Sequence, residues 1–74
     1  MPPKSVVIHV QLLDEGTFVA RPTEAVAVGG GLYRLLPTPD YDPAIETWEF
    51  PPGALVRVKS RTDENGKYFM AVKA

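Results

Sequence analysis

A two-residue rhythm of apolar side chains runs through most of this chain. Val6, Ile8, Val10 and Leu12 fall on one side and Val7, His9, Gln11 and Leu13 on the other, which predicts a strand over Ser5–Leu13 with the first set facing a core. Asp14-Glu15-Gly16 then predicts a tight hairpin loop closed by a positive φ at Gly16. A second strand is expected to begin at Thr17-Phe18-Val19. Pro22 lacks an amide hydrogen for a ladder, so it marks a bend, a bulge or an edge position within one long strand that resumes over 24–28. There the pattern selects no buried face, because Val26 and Val28 share a side with Glu24 and the opposite side offers only Ala25 and Ala27. Gly29-Gly30-Gly31 ends the run, and residues 32–36 read as the returning strand of a second hairpin.

Residues 37–43 hold three prolines and read as a loop of polyproline character, in which Asp42-Pro43 predicts a single helical turn with Asp42 as its N-cap. Beyond it, Trp48 and Phe50 have strand spacing and point to one side while Thr47 and Glu49 point to the other, as in a short strand that buries two aromatics. Pro51-Pro52-Gly53 stops the pairing and turns the chain. The alternation restarts with Val56, Val58 and Ser60 on one face and Arg57, Lys59 and Arg61 on the other. Asn65-Gly66 is the strongest hairpin signal present, and a last strand over 67–73 alternates Tyr68, Met70 and Val72 against Phe69 and Ala71.

Five or six hairpin-linked strands with no helical period predict an all-β domain spanning residues 1–74, a small SH3-like barrel of antiparallel strands. An OB-fold needs a helix between its third and fourth strands, and residues 37–47 leave too little room for one. The proline-proline-glycine corner is then a turn between sheets.

The chain has 74 residues and no cysteine, so neither disulfides nor a thiolate metal site supplements the core. That core suffices alone or with a partner subunit. The opening Met1-Pro2-Pro3-Lys4 and the apolar run after it, broken by His9 and Gln11, are too short and too polar for a secretory segment or a membrane span, and the expected location is cytoplasmic. A net charge of -1 gives no global attraction to nucleic acid. The charge is uneven, however. Up to Val56 there are three basic and seven acidic residues, and from Arg57 onward five basic residues face only Asp63 and Glu64.

Two motifs, "LLDEGT…RPTEA" over residues 12–25 and "WEFPPGALVRV" over residues 48–58, with "GGGLYRLL" over 29–36 between them, make the chain similar to a group of small uncharacterised bacterial proteins. That group carries E-G-T…R-P near the start and W-x-F-P-P-G-x-x-V further on. Its pattern has a large aromatic just before the Arg-Pro, where this chain has Ala20. The resemblance implies no activity, and any surface feature built by that aromatic is missing or altered here.

Among the candidate chemistries, Arg57, Lys59 and Arg61 form the most suggestive surface, extended across the hairpin by Lys67, Lys73 and the ring of Phe69. Cations that follow phosphates beside a ring that stacks on a base are how small barrels hold single-stranded nucleic acid. The plainer account is the solvent face of an antiparallel strand, where Lys and Arg guard an edge against aggregation. Asp40, Asp42 and Glu46 around Tyr41 invite a divalent cation, but their spacing does not match a calcium loop and Pro43 interrupts it, so a solvated acidic loop is expected and no metal. The glycine triplet lacks the Lys-Ser/Thr of a phosphate cradle. His9, the lone histidine, has no cysteine nucleophile to serve and is expected on the outer or rim face. Glu15 and Glu24 show no sign of converging, and Arg21 and Glu24 offer at most a weak local ion pair.

With no nucleophile and base, no ligand cluster and no cofactor motif, the expected role is a non-enzymatic binding module for another protein. Its contact surfaces are the loop over 37–43, with Asp40 and Tyr41, and the edge beside Arg57, Lys59 and Arg61; a homodimer by edge pairing uses the same physics. The alternative is a single-stranded nucleic-acid-binding barrel working through Arg57, Lys59, Arg61 and Lys67. No membrane partner is expected.

Overall fold

The computed structural model describes residues 5–37 and 41–74. The first alternating run forms β1 (Ser5–Leu13), and its even-numbered side is the buried one: Ile8, Val10 and Leu12 are almost fully enclosed, and Val6 lies at the rim. The strands β2 (Ala20–Gly29), β3 (Leu32–Leu35), β4 (Thr47–Trp48), β5 (Leu55–Asp63) and β6 (Gly66–Lys73) follow. They form a six-stranded sheet in the order β2-β3-β5-β6-β1-β4, and a further β1–β2 pairing closes five of them into a ring with β4 appended to the end of β1. The domain is therefore all-β and barrel-like. No helix among the described residues is long and apolar enough to cross a membrane.

One pairing departs from the expected all-antiparallel barrel: β1 and β6 run parallel and meet at His9 and Met70. The cause is arithmetic. Neighbours in a ring can all alternate in direction only if the ring has an even number of strands, and this ring has five. The parallel contact is where the mismatch falls, and it is the shortest seam in the ring.

The β1–β2 connection is longer than the tight loop expected. Asp14 (φ 61°) and Gly16 (φ 76°) are both left-handed, and two such turns in quick succession swing the chain wide. Leu12 N still donates to Val19 O, but Thr17 and Phe18 stay outside the ladder and β2 begins at Ala20. Pro22 lies inside β2 opposite His9; β3 covers only the stretch from Ala25 to Gly29, so the proline costs no β2–β3 rung. The buried face of β2, open from the pattern, is that of Thr23 and Ala25. The glycine triplet turns the chain between β2 and β3, with all three residues at positive φ.

Asp42 forms the single turn expected of it. Its carbonyl accepts from the amides of Ile45 and Glu46, and its Oδ1 accepts from Ala44 N at 2.9 Å. Trp48 is 5% exposed and belongs to the core with Ile8, Val10, Leu35 and Val56, and Phe50 packs against the same cluster. After Pro51 and Pro52 the corner is tied to β3: Gly53 N donates to Leu35 O and Leu35 N to Ala54 O. In the last hairpin the Asp63–Gly66 pairing makes Glu64 and Asn65 the two central residues; neither takes a positive φ, and the left-handed position falls on Gly66 (φ 119°), which opens β6. Asp63 Oδ1 accepts from Asn65 N at 2.8 Å and secures the turn.

Candidate functional site

Cross-strand neighbours in an antiparallel pair project to the same face. The β5–β6 register sets Arg57 opposite Val72, Lys59 opposite Met70 and Arg61 opposite Tyr68, while Lys67, Phe69 and Lys73 stand opposite Thr62, Ser60 and Val56. The cations of β5 thus share a face with Tyr68 and Met70, and Lys67, Phe69 and Lys73 belong to the other face. Period two along a single strand does not reveal this division; it depends on the turn length, which sets the register.

The face that carries Arg61 and Tyr68 is not simply solvated. Met70 is 4% exposed yet lies outside the main core cluster, and it is the residue registered with His9 on the outward side of β1. The His9 and Tyr68 rings meet edge-on with centroids 5.0 Å apart. From the loop before β2, Phe18 brings its ring under the Arg61 guanidinium, 5.9 Å from carbon to centroid, a cation–π contact. Phe18 itself remains 53% exposed. A small satellite cluster has formed on the outside of the ring, roofed by aromatics and an arginine.

Between these elements lies an open groove of about 450 Å³ lined by His9, Phe18, Ala20, Asp63, Lys67 and Tyr68. A second groove of about 300 Å³ shares His9, Lys67 and Tyr68 with it and adds Val7 and Phe69. It follows the flank where β6 parts from β1 beyond their one rung, so side chains of both faces reach it. His9 Nδ1 is buried here with no hydrogen-bond partner among the described residues. Only one carboxylate, Asp63, lines the groove beside His9, and no cluster of three or more His, Asp or Glu that could hold a metal occurs among the described residues.

The remaining cations have individual tasks. Arg57 Nη1 donates to Gly30 O at 3.2 Å and so braces the β2–β3 turn, and Arg34 Nη1 donates to Gly53 O at 3.1 Å. Lys59 is exposed and has no hydrogen bond or ion pair among the described residues. Tyr41 is drawn inward: its ring meets Trp48 at 4.8 Å between centroids, and it is half-buried against the core. Asp40 lies outside the described residues, as do Met1, Pro2, Pro3 and Lys4. Arg21 pairs with Glu46 and not with Glu24, whose Oε1 accepts from Ser5 Oγ at 2.9 Å. Phe18, His9 and Tyr68 are residues of this surface that the sequence pattern did not join to the cations. Phe18, an aromatic beside a glycine turn, was the available signal.

No family model, curated protein or solved structure matches this chain.

Proposed function

We propose that this domain is a non-enzymatic module that holds another protein through the β5–β6 hairpin and the grooves at its root. The observation that supports this reading best is the exposure of Val7, Phe18 and Phe69, at 55%, 53% and 46%, along two grooves that share His9, Lys67 and Tyr68. Large apolar side chains gathered beside open grooves, with polar groups interspersed, are the anatomy of a recognition surface. Within this reading the ring is an SH3-like barrel, the chain belongs with the small bacterial proteins whose motifs it shares, and it works in the cytoplasm.

A second reading, single-stranded nucleic acid, draws support from Arg61 over the Phe18 ring with Lys67 beside the same groove. Asp63 in the groove and a net charge of -1 weigh against it. Capture from native cell extract on the immobilised 74-residue chain, at low and at physiological salt, separates the two. The protein-binding reading expects a captured protein that survives physiological salt and is lost with the Ala20→Trp variant, whose indole fills the groove. Nucleic acid captured instead, with retention falling steeply as salt rises, would favour the second reading. Undiminished capture by Ala20→Trp would remove the groove from the account.

A further inference from the structure

The flank of β5 that faces away from β6 is only partly covered. β3 pairs with Leu55 and Val56 there, and the Arg57 guanidinium, bonded to Gly30 O, carries the cover one residue further. From residue 58 to residue 63 β5 is paired with β6 alone among the described strands, in a register that continues without a shift to Asp63 and Gly66. A strand paired on one side presents unpaired N–H and C=O groups on the other. Two of the usual obstructions are absent, since no proline and no bulge interrupts residues 58–63, and the guards that remain are the charges of Lys59 and Arg61.

We infer that this flank of β5 accepts an extended, acidic segment of the partner protein as an added strand, an inference that rests on the protein-binding reading above. The backbone supplies the hydrogen bonds. The side chains supply the selection: Lys59 and Arg61 are exposed, Lys59 has no ion-pair partner among the described residues, and Arg57 stands at the covered end. Carboxylates on the incoming strand sit against these cations, whereas lysines there meet like charge. Self-pairing is only partly opposed: a second copy of β5 paired antiparallel about Ser60 would set Lys59 against Arg61 twice and Arg57, already bonded to Gly30 O, against Asp63 twice.

The test uses the full 74-residue chain and a fluorescent synthetic peptide of alternating glutamate and valine, read by anisotropy at low salt. Three comparators accompany it: the peptide with lysine for glutamate, the glutamate peptide methylated on alternate backbone nitrogens, and the Lys59→Glu/Arg61→Glu protein, altered only at exposed positions. The glutamate peptide is expected to bind at least about tenfold more tightly than the lysine peptide, with the preference reversed by the double variant. Backbone methylation is expected to abolish binding, and bound peptide to slow amide exchange over residues 58–63. Equal binding of the two peptides, undiminished binding after methylation, displacement by single-stranded DNA, dimerisation of the chain through this edge, or no binding at all overturns the inference. Should the double variant still capture the extract protein that Ala20→Trp loses, the edge falls and the protein-binding module stands. The opposite pattern would discard the groove and keep the edge.

Discussion

Arg21 and Glu46, 25 residues apart in the chain, meet through two guanidinium nitrogens on a single carboxylate oxygen: Nε donates to Oε2 at 2.9 Å and Nη2 at 2.6 Å. The other oxygen accepts from the Trp48 indole at 3.3 Å. The carboxylate therefore links three parts of the fold: β2, the turn after Pro43, and the tryptophan that fills the core. A buried indole N–H needs a partner, and Glu46 provides it while remaining close enough to solvent to stay ionised.

This geometry sets a pH dependence. The Arg21 hydrogen bond, reinforced by that from Trp48 and by the guanidinium charge, holds the Glu46 carboxyl below its ordinary value. A carboxyl whose pKa is lower folded than unfolded contributes stability above its unfolded pKa and loses it as pH falls through the folded one. The wild type should therefore exceed Glu46→Gln in thermal midpoint at neutral pH, and the gap should close on acidification below the ordinary glutamate range. A gap independent of pH would show that the carboxylate charge contributes nothing.

Core truncation should be severe, because a domain this small has little stability to lose. Replacing Ile8 or Trp48, 0% and 5% exposed, with alanine removes large buried side chains, at a cost of about 2–5 kcal/mol for Ile8 and about 3–5 kcal/mol for Trp48. Urea unfolding followed by far-UV circular dichroism should find Trp48→Ala largely unfolded without denaturant. A cooperative transition close to that of the wild type would mean that the indole is not a core residue.

The last hairpin turn offers a backbone test. Gly66 has φ 119° and nothing near the position of an added Cβ, so Gly66→Ala meets conformational strain without a steric clash. The expected loss is about 1–3 kcal/mol. An Asn65→Ala control should lie within about 0.5 kcal/mol of wild type, because Asn65 contributes its backbone amide and not its side chain to the bond with Asp63. Equal effects at the two positions would contradict the turn described.

Much of the ring was legible from alternation and punctuation alone. The buried side of β1, the glycine turn, the turn at Asp42, the double-proline corner and the exposure of Arg57, Lys59 and Arg61 all follow from local residue chemistry. What escaped was set by relations between strands. The parallel contact of His9 and Met70 follows from closing a ring of five, which no single strand encodes. The separation of Phe69 and Lys67 from the β5 cations follows from the register. Phe18 was expected in a strand, and two left-handed residues before it moved it into the loop that overhangs Tyr68's side of the hairpin. Arg21 lies three positions from Glu24 in sequence, yet its partner is Glu46, brought across by the one-turn segment at Asp42.

Filling the groove should leave the fold intact. Ala20 is half-exposed at the start of β2 and lines the groove away from the main cluster, so Ala20→Trp should match the wild type within about 0.5 kcal/mol in urea unfolding while losing partner capture. Retained stability and lost capture together identify a binding effect; a large loss of stability would place Ala20 in the packing instead.

The most direct measurement is amide hydrogen exchange on the captured complex compared with the free chain. Slowed exchange over residues 58–63 of β5 and around His9 and Tyr68 is the predicted result, because the hairpin and its grooves are where the partner sits. Protection concentrated at the glycine turn or the double-proline corner, with the β5–β6 hairpin unchanged, would contradict it.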